Sequence, residues 1–244
     1  MKSAITPMKP PRRGAFILLE GVDRCGKTTQ CGLLIKHLLA LSLSAVAMNF
    51  PDRTTHVGTI INSYLKSGNE MNDQAIHLLF SANRWENAPR LTQCISDGNA
   101  VVCDRYAYSG VAFSSAKIQP NGDNILSIDW CKNPDIGLPA PDAVIFLDVS
   151  QEEAEQRGGY GNERYEKRDM QVRVRKRFSQ LQAIDEKDGR VPWYIIDASE
   201  SIDKVETVIQ KITHEILQKV NAGAPMRKMW EDGDYELPPQ SENI

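Results

Sequence analysis

No apolar run in this chain approaches the roughly 20 residues that a membrane-spanning helix needs. The first thirteen residues, MKSAITPMKPPRR, lack the apolar stretch of a secretory signal. They are basic and acid-free, as a transit peptide would be, but short and proline-containing, so residues 1–12 read as a disordered tail. Cysteine is sparse: Cys25, Cys31, Cys94, Cys103 and Cys131, an odd number with no C-x-x-C pair. That spacing argues against a zinc site or a disulfide framework and fits a reducing compartment. A cytoplasmic location is expected, with nuclear and mitochondrial pools left open. There is no excess of positive charge, since 29 Lys and Arg face 32 Asp and Glu. A nucleic-acid-coating protein would normally be basic, so any phosphate recognition must come from local clusters. No internal repeat is present, and no N-K-x-D guanine reader.

What is present alternates. AFILLE (15–20), AVAMNF (45–50), AVVCD (100–104), AVIFLD (143–148) and WYIIDA (193–198) are short apolar runs closed by turn residues, as buried strands are. Between them, helical spacing runs from Lys27 to about Leu43, over 72–97, over 169–188 and over 201–220. Ser150 opens a further helix with an acidic first turn. Strands alternating with helices predict an α/β fold, a mostly parallel sheet with helices on both faces, and 244 residues suffice for one such domain over 13–221. Residues 117–142 read as a long loop, and 157–168, RGGYGNERYEKR, as a lid. From about 222 to 244 the chain is polar and proline-containing, and a largely disordered tail is expected.

Gly21-Val22-Asp23-Arg24-Cys25-Gly26-Lys27-Thr28 fits G-x-x-x-x-G-K-T between the first strand and the first helix. Glycines there let successive N–H groups face inward on phosphates, and the helix N-terminus adds a favourable field. Lys27 should reach the outer phosphates and Thr28 should offer its hydroxyl to Mg²⁺. Asp104 ends an apolar strand, as a carboxylate partner of that metal does, and Arg105 follows it. The loop alone leaves the acceptor open, because switches, motors and kinases share it.

Four motifs in order, LLEGVDRCGKTTQ (18–30), FPDRTT (50–55), LLFSANRWE (78–86) and DRYAYSGVAF (104–113), together with the lid and DAS (197–199), resemble thymidylate kinases of the animal type over about residues 12–220. The resemblance implies a five-stranded parallel sheet of the P-loop nucleoside monophosphate kinase kind, and a homodimer formed through helices. It implies transfer of the γ-phosphoryl group of Mg-ATP to dTMP, giving dTDP for DNA synthesis, with no nucleic-acid or membrane partner. The implied catalytic residues are Arg24, Lys27, Asp104 and Arg105. Gly21, Arg24, Cys25, Gly26, Lys27, Thr28, Thr29, Arg157 and Ser199 would bind ATP, with Thr28 and Asp104 at the metal. For dTMP, Asp23 would hold the 3′-hydroxyl and Arg53, beside Phe50, would grip the phosphate with Arg105. Phe80 would stack on thymine, Arg84 would read its edge, Ser109 and Gly110 would line the base end, and Tyr165 would disfavour ribose.

Elementary physics points the same way. Transfer between two polyanions needs neutralisation and alignment more than covalent help, and four cations, Arg24, Lys27, Arg53 and Arg105, stand in these motifs. Taken singly, Phe80 would be core, Arg84 and Arg53 solvated, and Tyr165 a packing residue; their joint arrangement carries the reading. The alternatives are a kinase of dUMP or a purine monophosphate, and a P-loop regulator without turnover. Cys25 stands where relatives commonly carry a small non-thiol residue. It is either a reactive thiolate shielded by nucleotide or a small filler with its sulfur turned inward.

Overall fold

The computed structural model describes residues 13–157 and 163–241. The residues 1–12 expected to form a tail lie outside the described residues, as does part of the lid. Five parallel strands, β1 (Phe16–Gly21), β2 (Ala45–Asn49), β3 (Ala100–Asp104), β4 (Ala143–Asp148) and β5 (Trp193–Asp197), form one sheet in the order β2-β3-β1-β4-β5. All of β1 is buried, because the central strand of a parallel sheet is covered on both faces. The two-residue strand period divides its side chains. Phe16 and Leu18 join one core layer, while Ile17 and Leu19 join the other. Helices α1 (Lys27–Ala40) and α8 (Ile202–Asn221) close the second layer. The first lies under α3 (Asp73–Ser96), α4 (Ala107–Ser115) and α7 (Arg168–Asp188). The remaining helices are α2 (His56–Leu65), α5 (Ile128–Lys132) and α6 (Gln151–Gln156), the last closed by a Ser150–Glu153 capping box.

β1 and β3 both run out at the same edge, and the site hangs from their ends. Glu20 ties those ends to the next helix. Its fully buried carboxylate accepts from the N–H groups of Tyr106 (2.9 Å) and Ser109 (3.0 Å) and from the Ser109 hydroxyl (2.6 Å), clamping the start of α4 to the end of β1. Burial raises its pKa, against the opposing charge of Arg105 and the Ser109 hydrogen bonds.

Two expectations are corrected by the structure. The loop expected over 117–142 contains helix α5 and a 3-10 turn at Asn133–Asp135, with Ser127 capping α5 by accepting from the Trp130 N–H. The tail expected to be disordered is laid against the domain over 223–241. Met226 and Met229 are buried, and Trp230 stands edge-on to Tyr108 at 5.5 Å. Lys228 bridges to Pro139, and Gln240 and Ser241 hydrogen-bond to Ser96 and Asp97 at the end of α3. A few apolar anchors spaced through a polar segment hold it, and average composition hides them.

Candidate active site

The loop after β1 folds as its glycines require. Gly21 has φ 148°, and a Cβ there would lie 2.5 Å from the Leu147 carbonyl oxygen and 2.7 Å from the Cys25 sulfur. Gly26, at φ 100°, turns the chain into α1. Arg24 and Arg105 both take left-handed backbone (φ 63° and 67°), a conformation uncommon for side chains of their size and one that clusters at functional sites. Lys27 is buried, its ammonium donating to the carbonyls of Gly21 (3.1 Å) and Val22 (2.7 Å). Cys25 is only 1 % exposed, and its sulfur accepts from that same ammonium at 3.4 Å. The thiol therefore fills the inside of the loop, which favours the filler reading.

At the β3 end, Thr28 Oγ1 donates to Asp104 Oδ2 at 2.6 Å, so a hydroxyl and a carboxylate from two segments meet where a hard cation could sit. Arg105 donates to the Gly21 carbonyl (3.1 Å), to Ser109 Oγ (3.0 Å) and to the Asp23 carboxylate, and lies over the Phe113 ring. Arg157 ties the loop to the turn after β5, donating to the carbonyls of Arg24 (3.0 Å) and Ala198 (2.7 Å).

These groups face a cleft of about 770 Å³. Its other wall is α3. Phe80 is half-buried there, and Arg84, one turn on, is buried. Arg84 is held by both carboxylate oxygens of Asp135, at 3.0 and 2.6 Å, and Asp135 also accepts from Ser81 Oγ at 2.7 Å. Gly110 is glycine because a Cβ would sit 2.7 Å from that guanidinium. Beneath the same wall His77 is buried with its pKa lowered to about 4, by burial first and then by Arg84. Its Nε2 donates to the Cys131 carbonyl, and Nδ1 accepts from Ser114.

The cleft brings together Asp23, Arg24, Cys25, Gly26, Lys27, Thr28, Thr29, Phe50, Arg53, Phe80, Arg84, Asp104, Arg105, Ser109, Gly110, Arg157 and Tyr165. Of the residues expected at the site, Gly21 and Ser199 lie outside its lining, Gly21 acting through backbone shape and Ser199 sitting in the turn bound to Asp197. Sequence reasoning missed Gln171, whose amide donates to Asp23 Oδ2 (2.6 Å) and to the Tyr165 carbonyl (2.8 Å). It also missed Phe113, packed on Tyr165 at 5.5 Å, and the lid acids Glu163 and Glu166, which pair with Arg53 and Arg24 at 2.8 Å. Two acids three apart in the lid were the available signal for that last pair.

A thymidylate kinase family model matches residues 19–209. This chain belongs to the thymidylate kinase family. It is 45 % identical over 219 residues to the zebrafish (Danio rerio) thymidylate kinase, covering 90 % of this chain and 98 % of that one. With the human enzyme the identity is 43 % over 219 residues, again covering 90 % of this chain and 98 % of its relative. The solved structure of thymidylate kinase from Candida albicans superposes with a TM-score of 0.78 at 35 % identity, covering 90 % of this chain and 99 % of that one. The five-stranded parallel P-loop architecture is thus the family's own. Among the described residues no helix is long and apolar enough to cross a membrane.

Proposed function

We propose that this cleft transfers the γ-phosphoryl group of Mg-ATP to dTMP. The observation that carries the reading is the convergence of four cations from three separate segments on one cleft walled by the phosphate-binding loop and by α3. Lys27 and Arg24 serve the donor phosphates, while Arg53 and Arg105 hold the acceptor phosphate. Asp23, oriented by Gln171 and Arg105, takes the sugar 3′-hydroxyl. Phe80 offers an aromatic face to the base, and Arg84, fixed by Asp135, reads its edge. Tyr165 stands where the sugar lies, with Phe113 behind it.

The nucleophile is a phosphate oxygen that is already ionised, so the chemistry needs no general base. A bond forms from that oxygen to the γ-phosphorus while the bond from phosphorus to the β-bridging oxygen breaks, leaving ADP. The protein's share is alignment and charge neutralisation. Among the described residues no three His, Cys, Asp or Glu gather as a metal cage. Mg²⁺ does not require one, since it binds through one or two protein oxygens plus phosphates and water, and the Thr28–Asp104 pair suits it. Bound there, the ion would neutralise charge on the donor phosphates.

The test is coupled ADP release across a panel of monophosphates: dTMP, dUMP, dGMP and AMP. The expected outcome is the highest kcat/KM with dTMP. A purine acceptor in first place would overturn the acceptor assignment, and turnover with none would favour a nucleotide-binding regulator.

The same reading includes a homodimer through helices. Its support is the outer side of α3, where Leu78 and Trp85, two turns apart, form an apolar face and are both at least 40 % exposed. Leu78→Glu places a charge in that face and should shift the protein to monomer by light scattering. A wild type that is already monomeric at tens of micromolar would remove the proposal.

A further inference from the structure

Two cations of the cleft are already engaged by the lid. Arg53 faces Glu163 with both fork nitrogens, at 2.8 and 3.2 Å, and Arg24 donates to Glu166 at 2.8 Å. The two acids lie one turn apart, and the Glu163 N–H donates to Glu166 Oε2 at 3.2 Å. A carboxylate presents two oxygens to a guanidinium much as a phosphate does. Glu163 therefore occupies the position on Arg53 that an acceptor phosphate needs.

Three features fit an exchangeable contact rather than a fixed one. First, the pair is open to solvent, with side-chain exposures of 38 % and 34 %, whereas the Arg84–Asp135 pair is enclosed at 3 % and 0 %. Solvated pairs are worth little and are cheaply broken; enclosed ones are not. Second, Arg53 has another tether, donating to Asn62 Oδ1 at 3.0 Å, so its fork keeps its place whichever anion it holds. Third, Glu163 is positioned independently of Arg53. The adjacent Arg164 docks the lid on α2, its N–H on the Leu65 carbonyl (3.0 Å), its Nε on the Tyr64 carbonyl (3.0 Å) and its guanidinium 4.2 Å from the Tyr64 ring centre.

We infer that Glu163 sets the affinity of the acceptor site by competing with the acceptor phosphate for Arg53. This rests on the proposed role of Arg53 as the acceptor clamp. A neutralised clamp discriminates against small free anions, which bring only charge. A nucleotide also brings a base and a sugar, whose binding energy helps displace the glutamate. Glu163 is thus a determinant of acceptor affinity and not a catalytic residue.

Calorimetric titration of dTMP and of thymidine tests this on the full chain, with wild type, Glu163→Gln, Arg53→Ala and the double variant. Glutamine keeps the shape and removes the charge. The Glu163→Gln variant should bind dTMP about two- to five-fold more tightly, the size expected for an open ion pair. Thymidine, which has no phosphate, should bind it as it binds wild type. No tightening should occur in the Arg53→Ala background. Weaker or unchanged dTMP binding by Glu163→Gln would overturn the inference alone, since Glu163 would then merely orient Arg53. Equal tightening of thymidine would overturn it too, by pointing to lid repacking. If Arg53→Ala itself leaves dTMP binding intact, the clamp reading fails, and this inference with it.

Discussion

Replacing Lys27 with Ala should lower kcat by about 10² to 10³, the loss typical when one preorganised electrostatic contact to a reacting centre is removed. The lysine opens α1 and is buried at the floor of the cleft, its ammonium held by two loop carbonyls. On the proposed reading, those contacts hold a compact charge toward the outer phosphates of the donor. Charge builds on the transferring group and the leaving oxygen during the step, so the effect belongs mainly in kcat and less in the KM for ATP. Arg24→Ala should follow the same pattern if its charge acts on the transition state. The check is steady-state kinetics alongside circular dichroism, because the variant also takes a donor from two loop carbonyls, of which Gly21 keeps Arg105. A folded Lys27→Ala protein with near-native turnover would sink the assignment of this loop to phosphoryl transfer.

The largest effect on stability should come from a residue that touches no substrate. Asp135→Ala leaves the Arg84 guanidinium buried without its counter-charge, and the expected loss is about 3–5 kcal/mol in denaturant unfolding. The geometry explains the size: both carboxylate oxygens are used, and the pair is enclosed. Acceptor binding should fall as well, because Arg84 would lose the partner that fixes it at the base end. Removing both charges, as in Arg84→Ala with Asp135→Ala, should recover part of the stability, since no unpaired charge stays buried. A loss below about 1 kcal/mol for the single variant would show that solvent reaches the guanidinium and that the pair is not structural.

Strands β3 and β4 were legible to the residue, because buried parallel strands are continuous apolar runs closed by turn residues. The helix α4 was not. All nine of its residues are buried, so it has no polar face and no amphipathic period to read, and Gly110 weakens its propensity further. α2 was missed for a different reason, being short and rich in β-branched residues, with Gly58 in its first turn; its N-cap, Thr55, accepts from the Gly58 N–H, a signal that could have been used. At the site, the cations and the loop were legible because charge in a recognisable spacing carries its own chemistry. The acids that orient them were harder. Glu20 and Asp135 acquire meaning only from a partner far along the chain, and nothing local distinguishes them from solvated residues. Gln171 is the same case, an amide on a charged helix whose target, Asp23, sits in the phosphate-binding loop.

The strand order also governs when the cleft can come into being. β1 carries the phosphate-binding loop, yet both its neighbours are remote in the chain: Phe16 pairs with Val101, and Ile17 with Ala143. Neither local hairpin closure nor helix formation can supply those contacts. The entropy of closing two long loops must be met before the centre of the sheet gains anything, and such topologies fold slowly. The loop is also shaped from the far side, since the carbonyl of Leu147, at the end of β4, presses against Gly21. Nucleotide-binding competence is therefore one of the last properties this chain acquires as it folds, and a bound nucleotide then holds the remote strands together by mass action.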